Sequence, residues 1–398
     1  MALNRIGRGA MAASLSVAIG LGLTACSRTY TVAYVYMTTA KADPGLINGY
    51  KVDYQSGDLT PLEDSPIPTG GRNPVTVVAA PNSKHIYVVN HDDSTVVWFA
   101  IGTDGKLYPQ KTYNTTGSFP TAAAIDPAGK FLYVTFTFQS GFTTALPGAG
   151  GIAVFPIAAD NSLGTPLTQS ANTGLNPMGI VASGQFVYVI DQDPATTLNL
   201  LGYSVNSTTG SLTPLPGVTI NPGNTTSTGF QIGATPAGIL EDASLKHLYV
   251  TDQLGNRVVG YSIAANGVPT QISNGIATTD AGPAGLTIEA SGKFMYIANV
   301  TAGTISGYTF GTNGEPIRST VAGSVQSGTG TNCVTTIGAP SSQDPSHALY
   351  LYASNNLTSN VTGEQVSTVD GSLKQIQGTP FGGSALPTCV VSVPSFPH

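Results

Sequence analysis

Hydrophobic and polar positions alternate with period two in short runs along most of the chain, and no stretch after the first thirty residues holds a helical period. The clearest run is Pro120-Thr121-Ala122-Ala123-Ala124-Ile125-Asp126-Pro127, with counterparts starting at Pro74, Pro177, Pro236, Pro283, Cys333 and Pro387. Runs this small and apolar suit strands in a crowded interior. A second run follows each, centred on Tyr34, Tyr87, Tyr133, Tyr188, Tyr249, Tyr296 and Tyr352. A third carries Tyr50, Phe99, Phe155, Tyr203, Tyr261 and Tyr308 in one slot, where the seventh repeat has Gln365. A tight turn then leads to a short, Pro-containing fourth run. That turn begins at Gly57, Gly105, Asn161, Gly210, Gly267, Gly314 and Gly371, at spacings of 48, 56, 49, 57, 47 and 57 residues.

Four strands repeated about every 50 residues predict an all-β chain, a seven-bladed β-propeller with one four-stranded blade per repeat. From inside outward the strands are A, B, C and D. The repeats begin on strand B, and the chain finishes on strand A, Pro387 to Val393. The C-terminal strand is therefore expected to pair with the N-terminal blade and close the ring.

The first residues read differently. Arg5 and Arg8 precede an apolar run from Met11 to Leu23, which ends in Leu23-Thr24-Ala25-Cys26. That pattern resembles a bacterial lipobox, so residues 1–25 are expected to be a lipoprotein signal peptide and Cys26 its lipidation site. Residues 26–398 form the propeller. The resemblance implies a cell-envelope protein, held by lipid at the outer membrane or periplasmic face without spanning it. In such an oxidising compartment Cys333 and Cys389, read as two positions out of register on neighbouring A strands, could form a disulfide. They could equally be two small buried hydrophobes.

Charged residues make up only 9% of the chain, against roughly 25% in ordinary soluble domains, and the net charge is −6. This argues against nucleic-acid binding, which needs a basic stripe. A monomer is expected. No motif implies a cofactor, and none has metal-ligand spacing. His85 and His247 stand where other blades place Phe131, Phe186 and Phe294, so theirs is a packing slot. His347 lies near the same place and His398 is terminal. Asn90, Asp191, Asp252, Asn299 and Asn355 lie three residues after the strand-B tyrosine, where such side chains cap turns. Only His91 breaks the repeat, beside Asn90, Asp92 and Asp93 on a B–C loop. The same propeller face carries the longest insertions, 136–151, 191–199 and 37–48. Long loops on a rigid scaffold are where binding resides.

Tyr87-Val88-Val89-Asn90 followed by Ser94-Thr95-Val96 resembles the YVTN-type repeat. The order Pro-x6-Pro, Gly-Lys-Phe-x-Tyr-Val and Gly-x-Leu, from Tyr30 to Val393, resembles the lactonase-like propeller family. Its members include 6-phosphogluconolactonase and carboxymuconate-cyclase relatives. The resemblance implies lactone hydrolysis, with a His pair ahead of the Asp252–Val258 segment, then Pro-Arg-His and a later Asn-Glu. The matching places here read Thr235-Pro236-Ala237, Pro283-Ala284-Gly285 and Asn299-Val300. Ala284, Gly285 and Val300 offer no side-chain base, acid or oxyanion donor.

The leading expectation is therefore a non-catalytic module binding a protein, a glycan or a small molecule on its loop face. The rival is a divergent lactone hydrolase that works with His91, Asp191, Asp252 and Arg257. A purely structural surface protein is the third.

Overall fold

A computed structural model of the chain describes residues 31–167, 171–233, 235–337 and 349–395. Cys26, His347 and His398 lie outside the described residues. Alternation along each run produces antiparallel strands, and the described residues form seven sheets with no helix. The innermost strands are Pro74–Ala79, Ser118–Ile125, Pro177–Ala182, Pro236–Glu241, Pro283–Ile288, Thr331–Ile337 and Pro387–Pro394. The last of these pairs with Thr31–Thr39, itself paired with Leu46–Asp53, so both ends of the described chain share one sheet and the ring closes. Numbered by strand B, that sheet is blade 1, Pro74–Asn114 spans blade 2, and the rest follow in chain order.

Blades are joined by one repeated contact. Tyr133 apart, whose hydroxyl has no partner, the strand-B tyrosine of each blade points at the C–D turn of the next. Its hydroxyl donates to the carbonyl of the turn residue: Tyr36 to Gly105 at 2.7 Å, Tyr188 to Gly267 at 2.6 Å, Tyr249 to Gly314 at 2.9 Å and Tyr296 to Gly371 at 2.8 Å. Tyr87 reaches Asn161 in the same way, and Tyr352 reaches Gly57 across the ring closure. All seven turn residues, Asn161 included, have positive φ, which presents that carbonyl to the neighbour. The aromatic two residues before each tyrosine packs on the same turn. Phe131 meets Gly210, Phe186 meets Gly267, Phe294 meets Gly371, and His247 fills the same slot against Gly314.

Three registers differ from the sequence reading. In blade 1 the bonded tyrosine is Tyr36, opposite Gly49 as Tyr188 is opposite Gly202, while Tyr34 takes the outer aromatic slot. Tyr34 and Tyr36 face the same side of a period-two strand, so sequence alone cannot choose between them. In blade 7 the innermost strand begins at Thr331, which pairs with Asn355 as Pro74 pairs with Asn90. Thr331 replaces the marker proline. Cys333 and Cys389 are therefore both third residues of neighbouring strands, in register rather than two apart.

The third difference concerns strand C of blade 7. Leu351 pairs with Glu364, as Ile86 pairs with Phe99 and Val187 with Tyr203. Glu364, not Gln365, thus occupies the aromatic slot. It is fully buried and neither carboxyl oxygen has a hydrogen-bond partner. Burial pushes its pKa up to about 7.

Two expectations follow for stability. Tyr188→Phe should cost about 1 kcal/mol, the net worth of one buried hydrogen bond. Tyr133→Phe should be neutral, because the Tyr133 hydroxyl has no partner; equal losses in urea titrations would contradict this. Glu364 has a folded pKa above its ordinary carboxylate value, so the stability it permits at pH 4 is lost as pH rises through 7. Glu364→Gln should remove that decline and exceed the wild type by up to about 3 kcal/mol at pH 8. Parallel pH–stability curves for the two proteins would refute the assignment.

Candidate functional site

The B–C and D–A loops meet on one face, around the mouth of the central channel. The residues after strand B mostly bond within their own hairpins. Asn299 Nδ2 donates to Thr304 Oγ1 at 3.1 Å and to Ser306 Oγ at 2.8 Å. Asn355 Nδ2 donates to Asn360 Oδ1 and Thr362 Oγ1, both at 2.8 Å, and its Oδ1 accepts from Ser327 and Thr331. Asn90 Nδ2 donates to Thr95 Oγ1 at 3.4 Å. These are loop caps.

Of the acidic members of that ring, Asp252 is committed as well. Asp252 Oδ2 accepts from Arg257 Nε at 2.9 Å and its Oδ1 from Thr235 Oγ1 at 3.0 Å. Arg257 spends a second nitrogen on the Ile232 carbonyl at 2.8 Å. Asp191 is buried, and its Oδ1 accepts from the Asn176 amide at 2.7 Å, while its Oδ2 has no hydrogen-bond partner. Burial, reinforced by the charge on Asp193, pushes its pKa up to about 6. The structure does not bring Asp191, Asp252 and Arg257 together with His91. They belong to blades 4 and 5, and His91 to blade 2.

One of the places where the family resemblance implies a catalytic side chain, Gly285, is closed by backbone. A Cβ built on Gly285 would lie 2.7 Å from the Asn332 carbonyl oxygen, and one on Gly238 would strike the Ala284 carbonyl. Thr251 Oγ1 donates to that same Ala284 carbonyl at 2.9 Å. Neighbouring innermost strands touch here through glycine, so no side chain fits between them.

The thiols lie on the next pair of innermost strands. Cys333 and Cys389 are free, half-buried thiols rather than a bridge. The Val390 amide donates to Cys333 Sγ at 3.3 Å, and the thiols hydrogen-bond each other. That bond raises the pKa of Cys333 and lowers that of Cys389, which also contacts Thr76 on its other side.

Two of the predicted insertions are shorter than the sequence suggests. Residues 37–39 and 46–48 are strand, leaving only 40–45 as loop. Phe136 is buried within strand B, and Phe142 packs on Gly148 of its own loop. That loop is held by hydrogen bonds of its own, between Gln139 and Ala149 and between Thr143 and Leu146, and leaves Leu146 61% exposed at its tip.

What remains is a cluster over blades 2 and 3. His91 Nδ1 is 2.7 Å from Asp92 Oδ1, and the His91 ring lies 5.0 Å from Phe119, tilted by 30°. Phe119 in turn meets Phe138 edge-on at 5.9 Å. Arg72 clamps Asp93 through Nε, a second guanidinium nitrogen and its own amide at 2.6–2.8 Å. The hydrogen bonds from His91 and Arg72 hold Asp92 and Asp93 below the usual carboxylate range. Beside them opens a cleft of about 300 Å³ lined by Asp93, Ser94, Asn114, Thr115, Ser118 and Ser140. It shares Thr116 and Ser140 with a second cleft of about 550 Å³ that runs toward Tyr203. Among the described residues no cluster of three metal-ligating side chains occurs.

Phe119 was missed by pattern reasoning. It has φ of +58°, immediately before Pro120. The signal was present in the repeat, because the matching place before strand A holds Asn73, Gly282, Gly330 and Leu386, all with positive φ.

Known proteins resemble this chain along most of its length. The sequence model of the family described as "Lactonase, 7-bladed beta-propeller" matches residues 33–179 and 181–335. A 6-phosphogluconolactonase of Pectobacterium carotovorum is 33% identical over 113 residues, 28% of this chain and 30% of that protein, so the match spans about a third of the relative. Among solved structures, a putative 6-phosphogluconolactonase from Bacteroides fragilis superposes with a TM-score of 0.70 at 18% identity, covering 92% of this chain and 99% of the other. The periplasmic gluconolactonase of Pseudomonas aeruginosa gives 0.70 at 16% identity, with 91% and 99% covered. Identities this low show a shared fold alone. With the seven closed sheets and the family match over both halves of the ring, the chain belongs to the seven-bladed lactonase propeller family.

Proposed function

We propose that this family member is a non-catalytic binding propeller, tethered to a cell-envelope surface by lipid on Cys26 and taking its ligand on the loop face over blades 2 and 3. The observation that carries this reading is the glycine-to-carbonyl contact at Gly238, Ala284 and Gly285. Lactone opening needs a base for water and a donor or cation for the developing oxyanion. Here the backbone occupies the space a side chain at Gly285 would fill, and Ala284 and Val300 carry no such group. Arg257 is divided between Asp252 and a carbonyl, and is not aimed at a substrate.

One arrangement favours the rival reading. Asp92 orients His91 through Nδ1, as a carboxylate does for a general base. The neighbouring Arg72 guanidinium is the cation such a site would use, but it is bonded to Asp93. The His91 ring also lies against Phe119. That leaves a dyad without an oxyanion partner.

Purified protein assayed against a panel of sugar lactones, 6-phosphogluconolactone included, should show no ring opening above the spontaneous rate. Turnover that falls at least a hundredfold in His91→Ala would establish the hydrolase instead. For the tether, cells fed a clickable fatty acid should label the wild-type protein and not Cys26→Ser. Equal labelling of the two would remove the anchor from this proposal.

A further inference from the structure

The geometry points to a subsite for a neutral saccharide chain on the shelf formed by His91, Phe119 and Phe138 and in the cleft beside it. This inference rests on the binding reading above and names its ligand class.

The first argument is Phe119 itself. A large side chain in the left-handed region costs about 1–2 kcal/mol relative to glycine. Blades 6 and 7 meet the same backbone requirement with Gly282 and Gly330, while blade 1 meets it with Leu386, which has no aromatic ring to offer. The fold therefore does not need a phenyl ring at this position, and the ring is held at the channel mouth against a strain that glycine would relieve. Its amide is fixed by Ser94 Oγ at 3.1 Å, and its ring is braced by Phe138. It is half-buried, so part of its surface stays open to a ligand.

The second argument is the chemistry of the cleft. Its walls carry hydroxyls and an amide from Ser94, Asn114, Thr115, Ser118 and Ser140. Its one charged side chain, Asp93, already has Arg72 as partner. Asp93 is neutralised by Arg72 and Asp92 favours the ionised form, so the cleft lining offers no unpaired cation to a phosphate or carboxylate ligand. A ligand matched to this site is uncharged, rich in hydroxyls, and flat and apolar on one face. A pyranose ring has that description: its C–H face stacks on an aromatic while its hydroxyls exchange hydrogen bonds with the wall. Continuity with the 550 Å³ cleft through Thr116 and Ser140 gives room for more than one ring.

The full-length protein titrated calorimetrically with cellotetraose, chitotetraose and maltotetraose should bind at least one of them saturably. Phe119→Gly should weaken that binding about tenfold, the upper range of one aromatic stack. Because glycine suits the local φ, the thermal midpoint of Phe119→Gly should stay level or rise, which separates a lost ring from a lost fold. Wild-type protein that binds none of the three, or binding that Phe119→Gly leaves unchanged, would overturn the saccharide assignment. So would tighter binding of an acidic oligogalacturonate than of the neutral chains. These outcomes are separable from failure of the underlying reading, which would appear as lactone turnover whatever the saccharides do.

Discussion

Everything in this molecule hangs on a hydroxyl that crosses from one blade to the next. A blade cannot bury both of its faces alone, and a ring is stable only if each blade meets its neighbour at a fixed distance and tilt. Here, at six of the seven interfaces, a tyrosine in strand B spans that distance and ends on the carbonyl of a left-handed turn residue. The contact requires an aromatic long enough to cross the interface and a turn residue that tolerates positive φ. Those two demands are the sequence phrase that repeats seven times. The final contact, Tyr352 to Gly57, joins residues 295 apart and supports the ring closure made by the C-terminal strand.

Because that contact is tied to residue type, the fold was legible before any coordinates. The turn glycines gave the period, the aromatics gave the strands, and the order of strands gave the closure. The errors were of one or two residues, and all arose where a marker was missing or doubled. Tyr34 and Tyr36 share a face, so either could have been the bonded tyrosine. Thr331 stands where other blades have proline or a comparable start, which shifted the reading to Cys333. Glu364 fills an aromatic slot and disguised itself behind Gln365. A period-two strand tolerates such slips on paper. In the structure the partner across the sheet fixes the register.

The site was less legible because its decisive features are properties of the backbone. Ala284 and Gly285 carry no side chain for the chemistry the family resemblance implies, but only the structure shows that the Asn332 carbonyl fills the space beside Gly285. Of the acidic and basic residues gathered from the sequence, Asp252 and Arg257 are explained by local partners, and Asp191 by one partner on one of its two oxygens. Their chemical types suggested a site, and their hydrogen bonds show caps and a clamp. Phe119 carried no chemical alarm at all, since a lone phenylalanine before a proline is unremarkable as sequence. It becomes informative once its φ is compared with that of Gly282 and Gly330.

The two kinds of exception divide by depth, and that division bears on function. Buried exceptions such as Glu364 leave polar atoms without partners and weaken the interface that holds them. Exceptions at the channel mouth cost less, because water can satisfy what the protein does not. A propeller can therefore vary its mouth while its interfaces stay uniform, and recognition accumulates on the loop face. With only 9% of residues charged, that face has little long-range field with which to select a ligand. Selection must come at contact, through shape, stacking and hydroxyl-to-hydroxyl hydrogen bonds. Such contacts are individually weak, and a membrane tether would compensate by raising the local concentration of sites when the ligand is itself a surface polymer. The low charge, the strained aromatic and the expected anchor then describe one physical strategy.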